Sequence, residues 1–311
     1  MISLLTSMKP FRGDATLIQT NSLRNWRQLD RNVEIIIYGD GEGISEQARR
    51  FGTKHIPQIR CNSKGVPDFS AIVEHATDYA RFDIQVYLNG DILLPPDFIL
   101  RINQIRFDRF LLVGQRIDLM EGVVFDPMAD HWNTALLECL QSRGGRLHNS
   151  SAQDYFIFPR GLWSGLPPLI IGRGGYDNAL LAHCLRRRIP IVDGTWIIPA
   201  VHQWHDYSHV KGVAETFLGE DAQSNARLHD IKHSKPNLED AEWQLTRGGV
   251  IKAEVWSNPL RRLEIVLRFH WRLKLLSYLL RVLLRLAWLA GFLKPRQLAL
   301  ATLLRNSANL K

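Results

Sequence analysis

The sequence predicts an α/β protein built on a mostly parallel sheet with flanking helices, and three observations carry that prediction. Short apolar runs alternate with segments of helical periodicity through the first third of the chain. One run, Ile84-Gln85-Val86-Tyr87-Leu88, is almost continuously apolar, as expected of a strand covered on both faces. Polar residues follow the runs: Asp40 closes one and Asn89-Gly90-Asp91 closes another. Ligands of open α/β sheets bind at such strand ends.

Taken in order, residues 2–6 and 33–38 read as strands, the second strongly β-branched. Residues 15–29, 44–51 and 67–80 read as helices, the last placing Phe69, Ile72, Val73, Ala76 and Tyr79 on one face. Beyond Pro95-Pro96, residues 110–114, 154–158 and 189–192 read as strands, and 130–143 and 178–188 as helices. The polar stretch 211–250 reads as mostly loop or short helix.

A chain of 311 residues can bury a full core, and 45% hydrophobic with 23% charged residues is ordinary for a globular protein. The net charge of +8 is concentrated at one end. Residues 259–311 hold eleven lysines and arginines against one acid, Glu264, which leaves residues 1–258 at about −2. The body therefore has no electrostatic footprint for nucleic acid. Two regions follow: a main body, 1–258, and a basic amphipathic tail, 259–311. Cys61, Cys139 and Cys184 form neither a metal spacing nor a disulfide framework, which fits a reducing compartment. The N-terminus shows no secretory signal.

Three stretches carry candidate chemistry. Asn89 and Asp91 flank Gly90, whose freedom of backbone would let both side chains reach one point and hold a hard cation. Gly172-Arg173-Gly174-Gly175-Tyr176-Asp177-Asn178 allows close approach of a ligand before a helix, with Asp177 either a helix cap or a carboxylate facing an acceptor hydroxyl. Three histidines fall within 202–209; His202, directly after an apolar segment, is favoured as a cation ligand and His205 is its close competitor. Lys64, in the turn Asn62-Ser63-Lys64-Gly65, could face a phosphate. Arg116 and Asp154, with Asp118, are candidates for acceptor contacts or for an ion pair between strands.

Together these stretches resemble the GT-A glycosyltransferases, the nucleotide-diphospho-sugar transferase fold, over about residues 1–210. Asn89-Gly90-Asp91 stands in the place of that family's Asp-x-Asp motif, residues 174–178 in the place of its acceptor-side acid, and His202 in the place of its late metal-ligand histidine. The resemblance implies a divalent cation, Mn2+ or Mg2+, on Asp91 and His202, and a nucleotide-diphosphate sugar as donor. It implies Asp177 as the base, inversion at the sugar carbon, and Thr6 and Asp40 in contact with the nucleotide. Asn89 departs from the family's Asp. A sugar nucleotidyltransferase is the competing enzyme reading, but residues 6–13 lack the glycine-rich basic loop it needs. A non-catalytic membrane-associated scaffold is the reading from another class, sustained by Asn89.

The tail repeats Leu and Arg, with a bend expected near 276–277. Residues 275–293 approach a bilayer's thickness, yet two arginines cost roughly 2.5–3.5 kcal/mol each and nine leucines return only about 0.3–0.6 each. An in-plane position avoids that cost. The expectation is a peripheral or monotopic protein on the cytoplasmic side of an anionic membrane, with a glycan or lipid-linked acceptor. Docking of the tail on the body and a true span are the alternatives.

Overall fold

The computed structural model describes residues 1–121, 145–151, 153–205, 213–231, 235–253 and 258–290, with positions 134 and 138. The helix expected at 130–143 lies almost entirely outside the described residues. The main sheet opens with β1 (Ile2–Ser7), β2 (Glu34–Tyr38), β3 (Lys54–Ile56) and β4 (Ile84–Leu88), which pair in parallel in the order 3-2-1-4. Helices α1 (Asp14–Leu29), α2 (Ile44–Arg50) and α3 (Phe69–Tyr79) connect them. β5 (Ile92–Leu93) and α4 (Phe98–Ile102) lead to the long β6 (Leu111–Asp118); β7 (Arg146–Leu147) and β8 (Gln153–Pro159) follow. β8 inserts antiparallel between β4 and β6, so its first residues lie at the edge where those two strands end.

Then come α5 (Tyr176–Arg186), β9 (Ile191–Asp193) parallel to β6, and β10 (Ala200–His202). The fold class is the expected one, an α/β sheet flanked by helices, mixed rather than wholly parallel. Two apolar cores fill its faces, following the alternation of side chains along a strand. Tyr87, Phe156 and Phe158 pack with α3 and α5, whereas Val86, Leu88 and Ile157 pack with Trp26 of α1 and Phe98 of α4.

β6 serves two sheets. Its first half pairs with β8 and β9; its second half pairs with β10 and β7 in a small sheet that includes β5. The register shifts between Val113 and Gln115, at Gly114. A Cβ there would stand 2.9 Å from the Thr195 amide nitrogen and overlap the buried Tyr155 hydroxyl, so only glycine permits the crossing. This bend carries Arg116 and Asp118 over the end of β4.

The described part of the stretch 211–250 holds the short helices its reading allows and, beyond it, a strand pair. It contains α6 (Val213–Leu218), α7 (Glu220–Leu228) and a hairpin of β11 (Trp243–Thr246) and β12 (Gly249–Lys252). β11 adds to the sheet beside β9. Each piece is too short to establish a period in the sequence.

The described part of the tail, up to residue 290, is a helical hairpin: α8 (Asn258–Phe269), a tight turn at Trp271–Leu273, and α9 (Lys274–Leu289). The bend comes a few residues before its expected place at 276–277. The reason is Glu264, which is buried: folding back at 271–273 brings the Ser277 hydroxyl 2.8 Å from its carboxylate and Arg281 within 3.8 Å. The inner face of α8 packs on the body, where Arg261 pairs with the fully buried Asp240 at 2.8 Å. The outer face is apolar and open, with Leu260, Leu263 and Val266 on α8 and Leu275, Leu279, Leu283 and Leu286 on α9 all exposed. Among the described residues, no helix is long and apolar enough to cross a membrane.

Candidate functional site

The carboxyl ends of β4, β6 and β10, the start of β8 and the start of α5 converge. Asp91 lies in the turn between β4 and β5, which α1 clamps from below: Trp26 Nε1 donates to the Ile92 carbonyl and Asn25 exchanges hydrogen bonds with Leu94. Gly90 contributes closeness rather than unusual backbone freedom. A Cβ there would meet Gln19 Oε1 at 3.3 Å and Met8 Cγ at 3.4 Å.

β10 runs antiparallel to β5 with His202 opposite Ile92, so the histidine is delivered beside Asp91 by sheet register. The Gln203 amide donates to the Asp91 carbonyl, and its side chain donates to Ile18 and Ser22 of α1. His202 Nε2 lies 3.5 Å and His205 Nε2 3.0 Å from Asp91 Oδ2, and one ligand atom from each of the three residues falls within 4.8 Å of the others. Asp91 Oδ1 is buried without a hydrogen-bond partner among the described residues. Burial pushes the Asp91 carboxyl up, but His202 and His205 outweigh it and hold the group well below the usual carboxylate range. A donor set of one carboxylate and imidazole nitrogens, with an orphaned oxygen, fits a divalent cation.

Asn89 does not share that point. Its Nδ2 donates to Asp154 Oδ1 at 2.5 Å, and its amide donates to the Asp154 carbonyl. An Asp at position 89 would set two carboxylates against each other, which accounts for the amide in this chain. Asp154 also takes Arg116 Nη1 at 2.6 Å, while Arg116 Nε donates to Asp118 at 2.7 Å. The structure thus places Arg116 and Asp154 in an ion pair between strands, with both charges already matched.

Asp177 stands on the far side of Asp154. Gly175, with φ of 82°, precedes the helix, which starts at Tyr176, so Asp177 lies in the first turn and makes no cap. Asn178 is no cap either; its side chain is buried and donates to the Pro236 carbonyl. The Asp177 carboxylate accepts from the Asn178 amide at 2.9 Å and the Gln153 amide at 3.4 Å. Burial, with the Asp154 charge adding to it, raises its pKa to about 6 despite those bonds.

The remaining expectations lie outside this network. Thr6 is fully buried in β1, its hydroxyl near the Ser7 carbonyl, so it offers no side-chain surface to a ligand. Asp40 is exposed beyond β2. Lys64 faces Glu215 at 2.8 Å and Asp221 at 3.9 Å, which leaves its charge matched rather than turned to a phosphate. Sequence reasoning missed His148, whose Nδ1 lies 2.7 Å from Asp118 Oδ2; no spacing links it to the other residues.

No family model matches the chain, and no curated protein matches it by sequence. Solved structures do resemble it in chain path. A mycobacterial protein shares 17% identity over 75% of this chain and 76% of its own, at a TM-score of 0.46. Glucosyl-3-phosphoglycerate synthase from Mycobacterium tuberculosis, in complex with Mn2+, uridine diphosphate and phosphoglyceric acid, gives 17%, 75% and 80% at 0.43. A mannosyltransferase from Pyrobaculum calidifontis, in complex with GDP-mannose and Mn2+, gives 14%, 67% and 58% at 0.44.

Proposed function

We propose that the protein is a nucleotide-sugar-dependent glycosyltransferase of GT-A type, moving a sugar from a nucleoside-diphosphate donor to a hydroxyl with inversion. The observation that carries the reading is a pair of carboxylates at one sheet edge whose environments drive them apart. Asp91 is held ionised far below neutrality, and Asp177 is poised to about 6. Such a division marks one group for fixed charge and the other for proton transfer.

In this account the acceptor hydroxyl approaches the sugar carbon from the Asp177 side. As the new C–O bond forms, its proton passes to Asp177, and the bond to the diphosphate breaks on the opposite face. Asp177, ionised above about pH 6, is a competent base at neutral pH. Asp91 with His202 would hold a divalent cation, which when bound neutralises charge on the departing diphosphate. Asp154 acts between the two: it fixes Asn89 and raises Asp177. The exposed Asp40 beyond β2 suits the nucleoside. Arg116 and Asp154 would meet the acceptor only as a pair of matched charges.

The hairpin of α8 and α9 completes the proposal as an interfacial anchor on an anionic bilayer surface. Its open leucines lie alongside the exposed cations Arg272, Lys274 and Arg285, a combination that suits acyl chains and acidic headgroups together. Anchoring of this kind favours a lipid-linked or polysaccharide acceptor on the cytoplasmic side.

The test is a thermal-shift panel of nucleoside diphosphates and sugar nucleotides with Mn2+ or Mg2+, run on the wild-type chain and Asp91→Ala. One sugar nucleotide should stabilise the wild type in proportion to the logarithm of its concentration, and Asp91→Ala should abolish both that shift and turnover. Turnover unchanged in Asp91→Ala would remove the assignment.

A further inference from the structure

Both amides that donate to the Asp177 carboxylate belong to residues tied to one turn, 236–240. Asn178, buried at the start of α5, donates its side-chain Nδ2 to the Pro236 carbonyl at 2.7 Å. Gln153, at the start of β8, donates its Nε2 to the Ser150 carbonyl at 2.6 Å, and the Leu238 amide donates to that same carbonyl at 3.0 Å. The Leu238 side chain is buried in the core that also holds Tyr176, the residue before Asp177. The turn therefore spans the helix start and the strand start that close around Asp177.

A turn this short does not hold itself. Its helical part is three residues, Leu238–Asp240, a single 3₁₀ turn. Its carboxylate, Asp240, is fully buried and takes the Asn237 amide at 2.9 Å. A buried charge of this kind is costly without a cation. The cation comes from the tail. Arg261 of α8 donates through Nε and Nη2 to the two Asp240 oxygens, at 2.8 and 2.9 Å, in the forked geometry that makes such pairs strong. Its Nη2 also reaches Asn237 Oδ1 at 3.4 Å, and its Nη1 lies 3.5 Å from Glu239. One guanidinium thus touches Asn237, Glu239 and Asp240 together. Arg262 adds a contact to the Asp240 carbonyl at 3.4 Å.

We propose that Arg261 is a positioning residue for Asp177, acting through the turn 236–240, so that the first helix of the tail belongs to the catalytic unit as well as to the anchor. The inference rests on the reading of Asp177 as the base. Arg261 touches neither the reacting atoms nor Asp177 itself. Burial is the chief reason the Asp177 pKa stands at about 6, and that burial lasts only while α5 and β8 stay closed around the carboxylate. The turn ties the two together, and Arg261 fixes the turn. The Asp91 side of the site has no part in this brace.

The experiment measures the pKa of Asp177 in the full chain from the pH dependence of stability, each variant being compared with the same variant carrying Asp177→Asn. It needs no ligand. Arg261→Lys keeps a cation beside Asp240 but loses the fork, and it serves where Arg261→Ala does not fold. Arg261→Lys and Asn178→Ala should each move the Asp177 pKa from about 6 toward the ordinary 3.8, because a loosened wall admits water. Turnover of the sugar nucleotide that the thermal-shift panel selects should fall about 10–100-fold with its affinity retained, and the acid limb of kcat should move to lower pH. Ser277→Ala loosens the hairpin at Glu264, away from the turn, and should leave both the pKa and kcat at wild-type values. An Asp177 pKa unmoved in both Arg261→Lys and Asn178→Ala would overturn the brace. So would donor affinity falling in step with kcat, or an equal effect of Ser277→Ala. A shifted pKa, with turnover kept by Asp177→Asn, would remove the base and leave the brace standing.

Discussion

Asp177→Asn separates a base from a structural carboxylate through stability and rate together. The native Asp177 has a pKa of about 6, raised from 3.8 chiefly by burial. Between those values the folded chain holds a proton that the unfolded chain has lost, so folding stability falls as pH rises through that window. At about 1.36 kcal/mol per unit the fall amounts to about 3 kcal/mol, complete above pH 6 and absent below pH 4. The asparagine variant has no such slope. The Asn178 and Gln153 hydrogen bonds to the ionised carboxylate are already contained in the pKa of about 6, so the asparagine variant should gain about 3 kcal/mol on the wild type between pH 4 and pH 7.5.

Chemical denaturation followed by tryptophan fluorescence at pH 4, 5, 6 and 7.5 reads the difference between the two chains. Its signature is a change with pH centred between 4 and 6. The rate gives the second arm: Asp177→Asn should lose about 10²–10⁴-fold in turnover with donor affinity retained, and wild-type kcat/KM should rise to a plateau above about pH 6. Parallel stability curves would refute the burial argument. A variant that keeps its turnover would refute the base.

Two further predictions concern the hairpin. Vesicles containing anionic lipid should sediment the full chain, neutral vesicles less, and added salt should weaken the binding because Arg272, Lys274 and Arg285 contribute through screened charge. Binding indifferent to both lipid charge and salt would remove the anionic surface. Arg261→Ala should lower stability by about 3–5 kcal/mol, since it leaves the carboxylate of Asp240 fully buried and stripped of its cation. A loss below about 1 kcal/mol by denaturant titration would mean that α8 is not held by this pair.

What the sequence made legible follows from the range of the forces involved. β2, α3 and β4 announce themselves because an apolar pattern over five or more residues is a local signal. Asp91 was legible because an acid between two apolar runs needs an explanation within its own segment. Asp177 was legible beside its glycines, although its pKa was not: that depends first on burial in the fold and then on the charge of Asp154, which reaches it because β8 runs antiparallel between β4 and β6.

The same reasoning explains the residues for which the sequence left two readings open. Arg116 and Asp154 read as acceptor contacts or an ion pair, and Lys64 as a phosphate contact or a solvated lysine, because the partners that match their charges in the fold lie 38 and 151 positions away. Asn89 looked like a weakened metal ligand. Its partner Asp154 shows an amide that sits against a carboxylate, and the imidazole nearest Asp91, that of His205 at 3.0 Å, comes from the segment that Gln203 ties down. The chemistry of the site is therefore set by which strands the Gly114 crossing brings together. That crossing places Asp118 beside His202 and Arg116 against Asp154, joining the surroundings of Asp91 to those of Asp177 through one chain of charges.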